Sequence, residues 1–229
     1  SKRTITLLSL VLLLSLIAPV AVSGDSHLVQ ATLLHTNDFH GRLETDYRGR
    51  GGAAYISAKV NHIREAAGEE NVLLLDAGDE YFAAPAISQL LDGESTVDIF
   101  NMMGYELAVF GNHEFDKGQE ILVDRVFQSE YPWLGANIVF EGTDEHPEWV
   151  EPYTILSVGT APHEAKIGVI GVDTNETPEV TLLGTTEGLE FQTLTEGVMR
   201  YYDEVKAQSD AVIVVAHMGS NDSGPYEGL

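Results

Sequence analysis

Six short apolar runs punctuate the chain: VQATLLHT (29–36), NVLLLDAG (71–78), YELAVFG (105–111), WLGANIVF (133–140), KIGVIGV (166–172) and DAVIVVAH (210–217). They are rich in Val, Ile and Leu and bounded by Gly or polar residues, which predicts β-strands. Their near-continuous apolar character predicts burial on both faces, as in a largely parallel sheet. A different period separates them. Ile56, Val60, Ile63 and Ala67 recur at helical spacing, and so do Leu194, Val198, Tyr201 and Val205. The segment 118–130 carries Leu122 with Val126 and Val123 with Phe127 one turn apart. Strand and helix alternate, so the expected class is α/β. The irregular stretches fall at 44–52, 141–152 and 219–229.

The first stretch lies outside this pattern. Lys2 and Arg3 precede an apolar run from Ile5 to Val22, followed by the small residues AVSG. This is the layout of an export signal over residues 1–23, cut after Ser23, and it leaves residues 24–229 as the mature domain. An uncleaved anchor is the alternative, because the run approaches spanning length. No second segment is long and apolar enough to span a bilayer. The expected location is therefore extracellular, periplasmic or at the cell surface.

Composition narrows the chemistry. There are no cysteines, which excludes thiolate metal sites and cysteine nucleophiles, and an exported core of this size does not require disulfides. Asp and Glu number 36 against 12 Lys and Arg, for a net charge of −24 that loss of the leader would deepen. Such a surface repels nucleic-acid polymers and anionic membranes. The acids are scattered and lysines number only five, a composition expected where high salt screens self-repulsion.

Four of the runs end in polar chemistry. The first leads to Asp38 and His40, the second to Asp79, the third to Asn112, His113 and Asp116, and the last ends on His217. Ligands of open α/β sheets bind beyond the carboxyl ends of the strands, so these clusters can converge. Asp, His and Asn without Cys make a mixed oxygen and nitrogen set suited to Zn²⁺, Mn²⁺, Fe²⁺, Co²⁺ or Mg²⁺. No H-E-x-x-H, G-x-x-x-x-G-K-[ST] or G-x-S-x-G occurs, so a metalloprotease, a P-loop ATPase and an α/β-hydrolase are unsupported.

In order along the chain, HTNDFHGRLE, LLDAGDEYF, GNHEFDKG, LGANI and VVAHMG resemble the motifs of calcineurin-like metallophosphoesterases. More narrowly they are similar to the N-terminal domain of the 5′-nucleotidase family, which also includes UDP-sugar hydrolases and 2′,3′-cyclic-nucleotide phosphodiesterases. The resemblance covers the chain from about Ala31 to Gly219. It implies a β-sandwich flanked by helices in α/β/β/α layers, two divalent metal ions, and hydrolysis of a nucleotide or another small phosphoester. Asp38 and His40 would hold the first metal, Asp79 would bridge both, and Asn112 and His217 would hold the second. His113 would face the phosphate, with Asp116 fixing its ring. Glu114 and Lys117 are expected to be solvated loop residues. Tyr81, Phe82 and Trp133 are expected to pack in the core, and His27, His35, His62, His146 and His163 to be structural or solvated.

The resemblance also calls for a later loop of the G-H-x-H or G-H-x-Q kind and for a C-terminal base-binding domain. Neither follows His217 here, so the domain is expected to be truncated at its C-terminus. A non-catalytic metal- or nucleotide-binding protein of the same fold is the alternative. Retention of His113 and Asp116 favours the enzyme, and the oligomeric state is left open.

Overall fold

In a computed structural model of the protein, residues 28–219 are described. The export signal expected over 1–23, His27 and residues 220–229 lie outside them.

The second apolar run shows why the sheets form where they do. Every residue of β2 (Val72–Asp76) is buried. Leu73 and Leu75 face one way and Leu74 the other, as a period of two requires. It pairs in parallel with β1 (Thr32–Thr36) on one side and β3 (Leu107–Val109) on the other. β4 (Trp133–Leu134) completes a four-stranded sheet in the order β1-β2-β3-β4. Helices α1 (Ala53–Ala67), α3 (Glu94–Met103) and α4 (Gln119–Gln128) cover one face of this sheet, and α2 (Ala86–Gln89) leads into α3. Val60, Val97, Phe100 and Leu122 from these helices pack with Leu74, Ala108 and Trp133 of the strands.

A second sheet packs on the other face. It contains β6 (Tyr153–Thr160), β7 (His163–Asp173) and β9 (Ala211–His217), in that order. β6 and β7 form an antiparallel hairpin, and β7 pairs with β9 in parallel. Leu73, Leu75, Leu107, Val109 and Leu134 of the first sheet meet Val158, Ile167 and Val169 of the second. Burying each such side chain contributes about 1.5–3 kcal/mol. The opposite face of β7, with Ile170 and Val172, packs on Val205 of α6 (Leu194–Gln208). The order of layers is thus helix, sheet, sheet, helix, as the resemblance implies. Thr193 caps α6 by accepting the Glu196 N–H while the Glu196 carboxylate accepts the Thr193 N–H, a capping box.

Five elements were not apparent from periodicity: β6, β8 (Leu189–Phe191), the short α2 and α5 (Thr177–Val180), and α3. One run also divides. WLGANIVF is not a single strand: Trp133–Leu134 belongs to the first sheet, and β5 (Ile138–Phe140) pairs antiparallel with β8. Among the described residues no helix is long and apolar enough to cross a membrane.

Candidate metal centre

The backbone ladder between β1 and β2 continues past the sheet. Ala77 N–H donates to Thr36 O at 2.8 Å, Asp38 N–H to Gly78 O at 3.0 Å, His40 N–H to Asp79 O at 2.9 Å and Gly41 N–H to Glu80 O at 2.8 Å. Two loops therefore travel together and bring Asp38 and His40 against Asp79. The path demands left-handed backbone at all three residues, with φ of 50° at Asp38, 48° at His40 and 60° at Asp79. Non-glycine residues held in sparsely populated regions cost on the order of 1–3 kcal/mol each and cluster at functional sites.

β3 enters the site through Gly111 and a single tight turn over Asn112–Phe115. A side chain at 111 would collide with the Asp79 carboxylate and lie 2.6 Å from the Asp79 peptide nitrogen. Only glycine lets this loop approach so closely. The Asp79 Oδ1 atom in turn accepts the His113 N–H at 2.9 Å. β9 arrives from the second sheet and ends on His217, registered opposite Asp173 of β7.

Each histidine is aimed by a hydrogen bond behind its ring. His40 Nδ1 lies 2.8 Å from Phe82 O, and His217 Nδ1 lies 2.8 Å from Ala77 O. A carbonyl accepts, so Nδ1 carries the proton and Nε2 offers a lone pair, the way a hydrogen bond behind the ring orients a metal-binding histidine. Those Nε2 atoms converge on Asp79 Oδ2, at 3.9 Å from His40 and 3.3 Å from His217. Asp38 Oδ1 is 3.8 Å from His40 Nε2, and Asn112 Oδ1 is 3.3 Å from His217 Nε2. His113 packs edge-on to His40 with ring centroids 5.1 Å apart. Its Nδ1 is 2.8 Å from Asp116 Oδ2, which leaves Nε2 as the open ring nitrogen.

Ligand atoms of His40, Asp79 and His113 lie within 4.8 Å of one another, and so do those of Asp38, Asp79 and His217. Asp79 belongs to both groups. Electrostatics support a cation here. Burial alone would raise the Asp79 pKa, but His217 and His113 together outweigh it and hold the carboxyl below its ordinary range. Burial likewise opposes a charge on His217, yet contact with Asp79 pushes it up to about 10. The site rewards positive charge between these two residues, and the donor set of carboxylate, imidazole and carboxamide fits a divalent metal ion. All seven residues singled out from the sequence meet at this one place.

Other expectations are corrected. Glu114 is not a solvated loop residue: it is fully buried and accepts three peptide N–H bonds. Lys117 is tied down as well, pairing with Asp92, donating to Gln89 O at 2.8 Å and lying over the Phe82 ring. Tyr81, Phe82 and Trp133 are core residues, as expected. His35 and His62 are exposed, and His146 is half-buried between Ile138 O and the Tyr201 hydroxyl.

Sequence reasoning also passed over the acids beneath the site. Asp76 accepts the Thr36 hydroxyl at 2.6 Å and the Gly78 N–H at 2.9 Å, and burial pushes its pKa up to about 7. Glu80 accepts the Tyr131 hydroxyl at 2.8 Å, and Asp173 accepts the Thr177 hydroxyl at 2.7 Å. Burial raises both of their carboxyls well above the ordinary range. An acid that closes an apolar strand, as Asp76 and Asp173 do, was the available signal.

Known proteins resemble this chain over most of its length. The model of the calcineurin-like phosphoesterase family matches residues 19–228. The snake venom 5′-nucleotidase of Naja atra is 34% identical over 203 residues, covering 83% of this chain and 37% of that protein. A cell wall protein of Listeria monocytogenes is 29% identical over 256 residues, covering 97% of this chain and 32% of that protein. Among solved structures, the NAD nucleotidase of Haemophilus influenzae superposes with a TM-score of 0.69 at 28% identity, covering 84% of this chain and 35% of that one. The chain thus spans about a third of the length of the relatives it matches.

Proposed function

The chain belongs to the calcineurin-like phosphoesterase family, and on that footing we propose that it forms the metal-dependent catalytic domain of an exported 5′-nucleotidase-like hydrolase. It would release phosphate from nucleotides outside the cytoplasm, behind a signal peptide over residues 1–23. The observation that carries the reading is the shared carboxylate: Asp79 belongs to both groups of potential metal ligands.

Asp38, His40 and Asp79 would hold one ion, and Asp79, Asn112 and His217 the other, with Zn²⁺, Mn²⁺, Fe²⁺, Co²⁺ or Mg²⁺ fitting the donors. Paired metals neutralise the charge of a phosphate ester and supply hydroxide for in-line attack. The protein's own contribution is placement. Asp79 sets the separation of the two groups, and the carbonyls of Phe82 and Ala77 keep His40 and His217 facing inward. We assign His113, whose ring nitrogen also lies within reach of His40 and Asp79, as the acid. With Nδ1–H donated to Asp116, its Nε2 is free to carry a second proton. That N–H can stabilise a phosphoryl oxygen, or protonate the leaving ester oxygen as the P–O bond breaks. A protein that only bound nucleotide would need no such pair.

Phosphate release from AMP, UDP-glucose and cyclic nucleotides, measured with added Mn²⁺, tests the proposal. Phosphate release that disappears with chelator is expected. Binding without phosphate release from any of these esters would refute it.

A further inference from the structure

Glu114 sits immediately beside the proposed acid but cannot reach the site, because its carboxylate points into the protein. It is fully buried. Its Oε2 atom accepts the Gly111 N–H at 2.8 Å and the Asp79 N–H at 2.8 Å, and its Oε1 atom accepts the Glu80 N–H at 2.8 Å. Two of these donors belong to the loop after β2 and one to the loop after β3. The exchange is reciprocal, since Asp79 Oδ1 accepts the His113 N–H from the second loop at 2.9 Å. Each loop thus places a carboxylate on the peptide groups of the other.

We infer that Glu114 is a positioning residue that locks the loop bearing Asp79 to the loop bearing Asn112 and His113, and so fixes the distance between the two metal positions. This rests on the phosphoesterase reading above. A fully buried carboxylate is costly unless its lone pairs are satisfied, and here both oxygens are occupied by backbone donors. Those donors are also groups that the sheets cannot satisfy, because they lie past the strand ends. The arrangement leaves the loops no cheap alternative: if one shifts, the acid and several peptide groups lose their partners together. Glycine at 111 completes the lock by letting the backbones touch.

The test uses the full chain and two variants. Glu114→Gln keeps size and shape but replaces one accepting oxygen with a donor, which must face a peptide N–H. Glu114→Asp keeps the carboxyl group but is one methylene too short to reach both loops. In metal-free protein, amide hydrogen exchange at Asp79, Glu80 and Gly111 should accelerate in both variants while α6 and β7 keep their protection. In Mn²⁺-loaded protein, kcat for p-nitrophenyl phosphate and Mn²⁺ affinity should fall roughly 10–100-fold, with KM little changed. Full rescue by Glu114→Asp would mean that a carboxyl group at either reach suffices and would overturn the positioning role. Faster exchange with unchanged kcat and Mn²⁺ affinity would overturn it too. If the parent protein itself binds Mn²⁺ but releases no phosphate, the phosphoesterase reading falls, while exchange and Mn²⁺ affinity still decide whether Glu114 holds the loops and the metal positions.

Discussion

The two sheets reach the candidate site by opposite means. The first contributes Asp38, His40, Asp79, Asn112, His113 and Asp116, all from loops that follow strands of three to five residues. The second contributes His217 alone, as the last residue of a seven-residue strand. β9 needs no special backbone, and its ladder runs in unbroken register from Ile167 opposite Ala211 to Asp173 opposite His217. The loops of the first sheet have left-handed backbone and depend on side-chain clamps. Regular pairing places one residue well. Several groups facing one point require the chain to leave regular structure, and something else must then hold it.

If that contrast is correct, the deepest losses come from the loops. Asp79→Asn should abolish nearly all turnover and one of the two metals, because a neutral amide bridges two cations poorly; elemental analysis gives the metal count. His113→Ala should retain metal but lower kcat by roughly 10²–10⁴-fold, the range for a lost general acid. Loss of metal from that variant would instead make His113 a ligand, as its grouping with His40 and Asp79 allows. His217→Ala should weaken metal binding first and leave the fold intact, and a Mn²⁺ titration separates it from His113→Ala.

The second sheet should fail differently. At Gly171 an added Cβ would collide with Leu134 of the first sheet and lie 3.0 Å from Val109. Gly171→Ala should cost about 1–3 kcal/mol by overpacking, with turnover per folded molecule preserved; denaturant melts beside active-site titration check this. The smallest effect concerns His146, whose pKa is lowered from 6.5 by burial, with Arg200 lowering it further and Glu151 and Asp144 opposing. A folded pKa below the unfolded value means the unfolded chain takes up the proton first. This contribution is therefore complete above pH 6.5 and is lost as pH falls through the depressed pKa. Thermal melts of the parent and His146→Asn should converge toward acid pH.

The same division explains what the sequence made legible. NVLLLDAG read correctly because every residue of β2 is buried, which leaves an apolar run; DAVIVVAH read correctly from its apolar run although β9 is an edge strand with Val214 exposed. β6 did not, because only Val158 is fully buried and Thr154, Ser157, Gly159 and Thr160 interrupt its apolar residues. WLGANIVF misled because continuity of apolar residues cannot show that the chain leaves one sheet at Gly135 and joins another pairing at Ile138. The convergence of the seven candidate residues was legible because each lies at or just past the end of an apolar strand, where loops of such sheets meet. Glu114 was not, because its partners are peptide N–H groups, and every residue but proline has one.

One contact bears on how the molecule comes into being. His217 donates to the carbonyl of Ala77 across 140 residues of chain. Contacts of such separation form late, after the intervening loops have been closed. The loops of the first sheet can assemble while β9 is still unpaired, but the group that shares Asp79 with His217 cannot. Metal uptake should therefore have two phases during refolding: an early, weak one, and a tight one whose rate matches the slowest folding step seen by tryptophan fluorescence. Stopped-flow Mn²⁺ uptake that completes before that step would contradict this order. On this account a fully loaded centre certifies a finished fold, because the last strand of the described chain closes it.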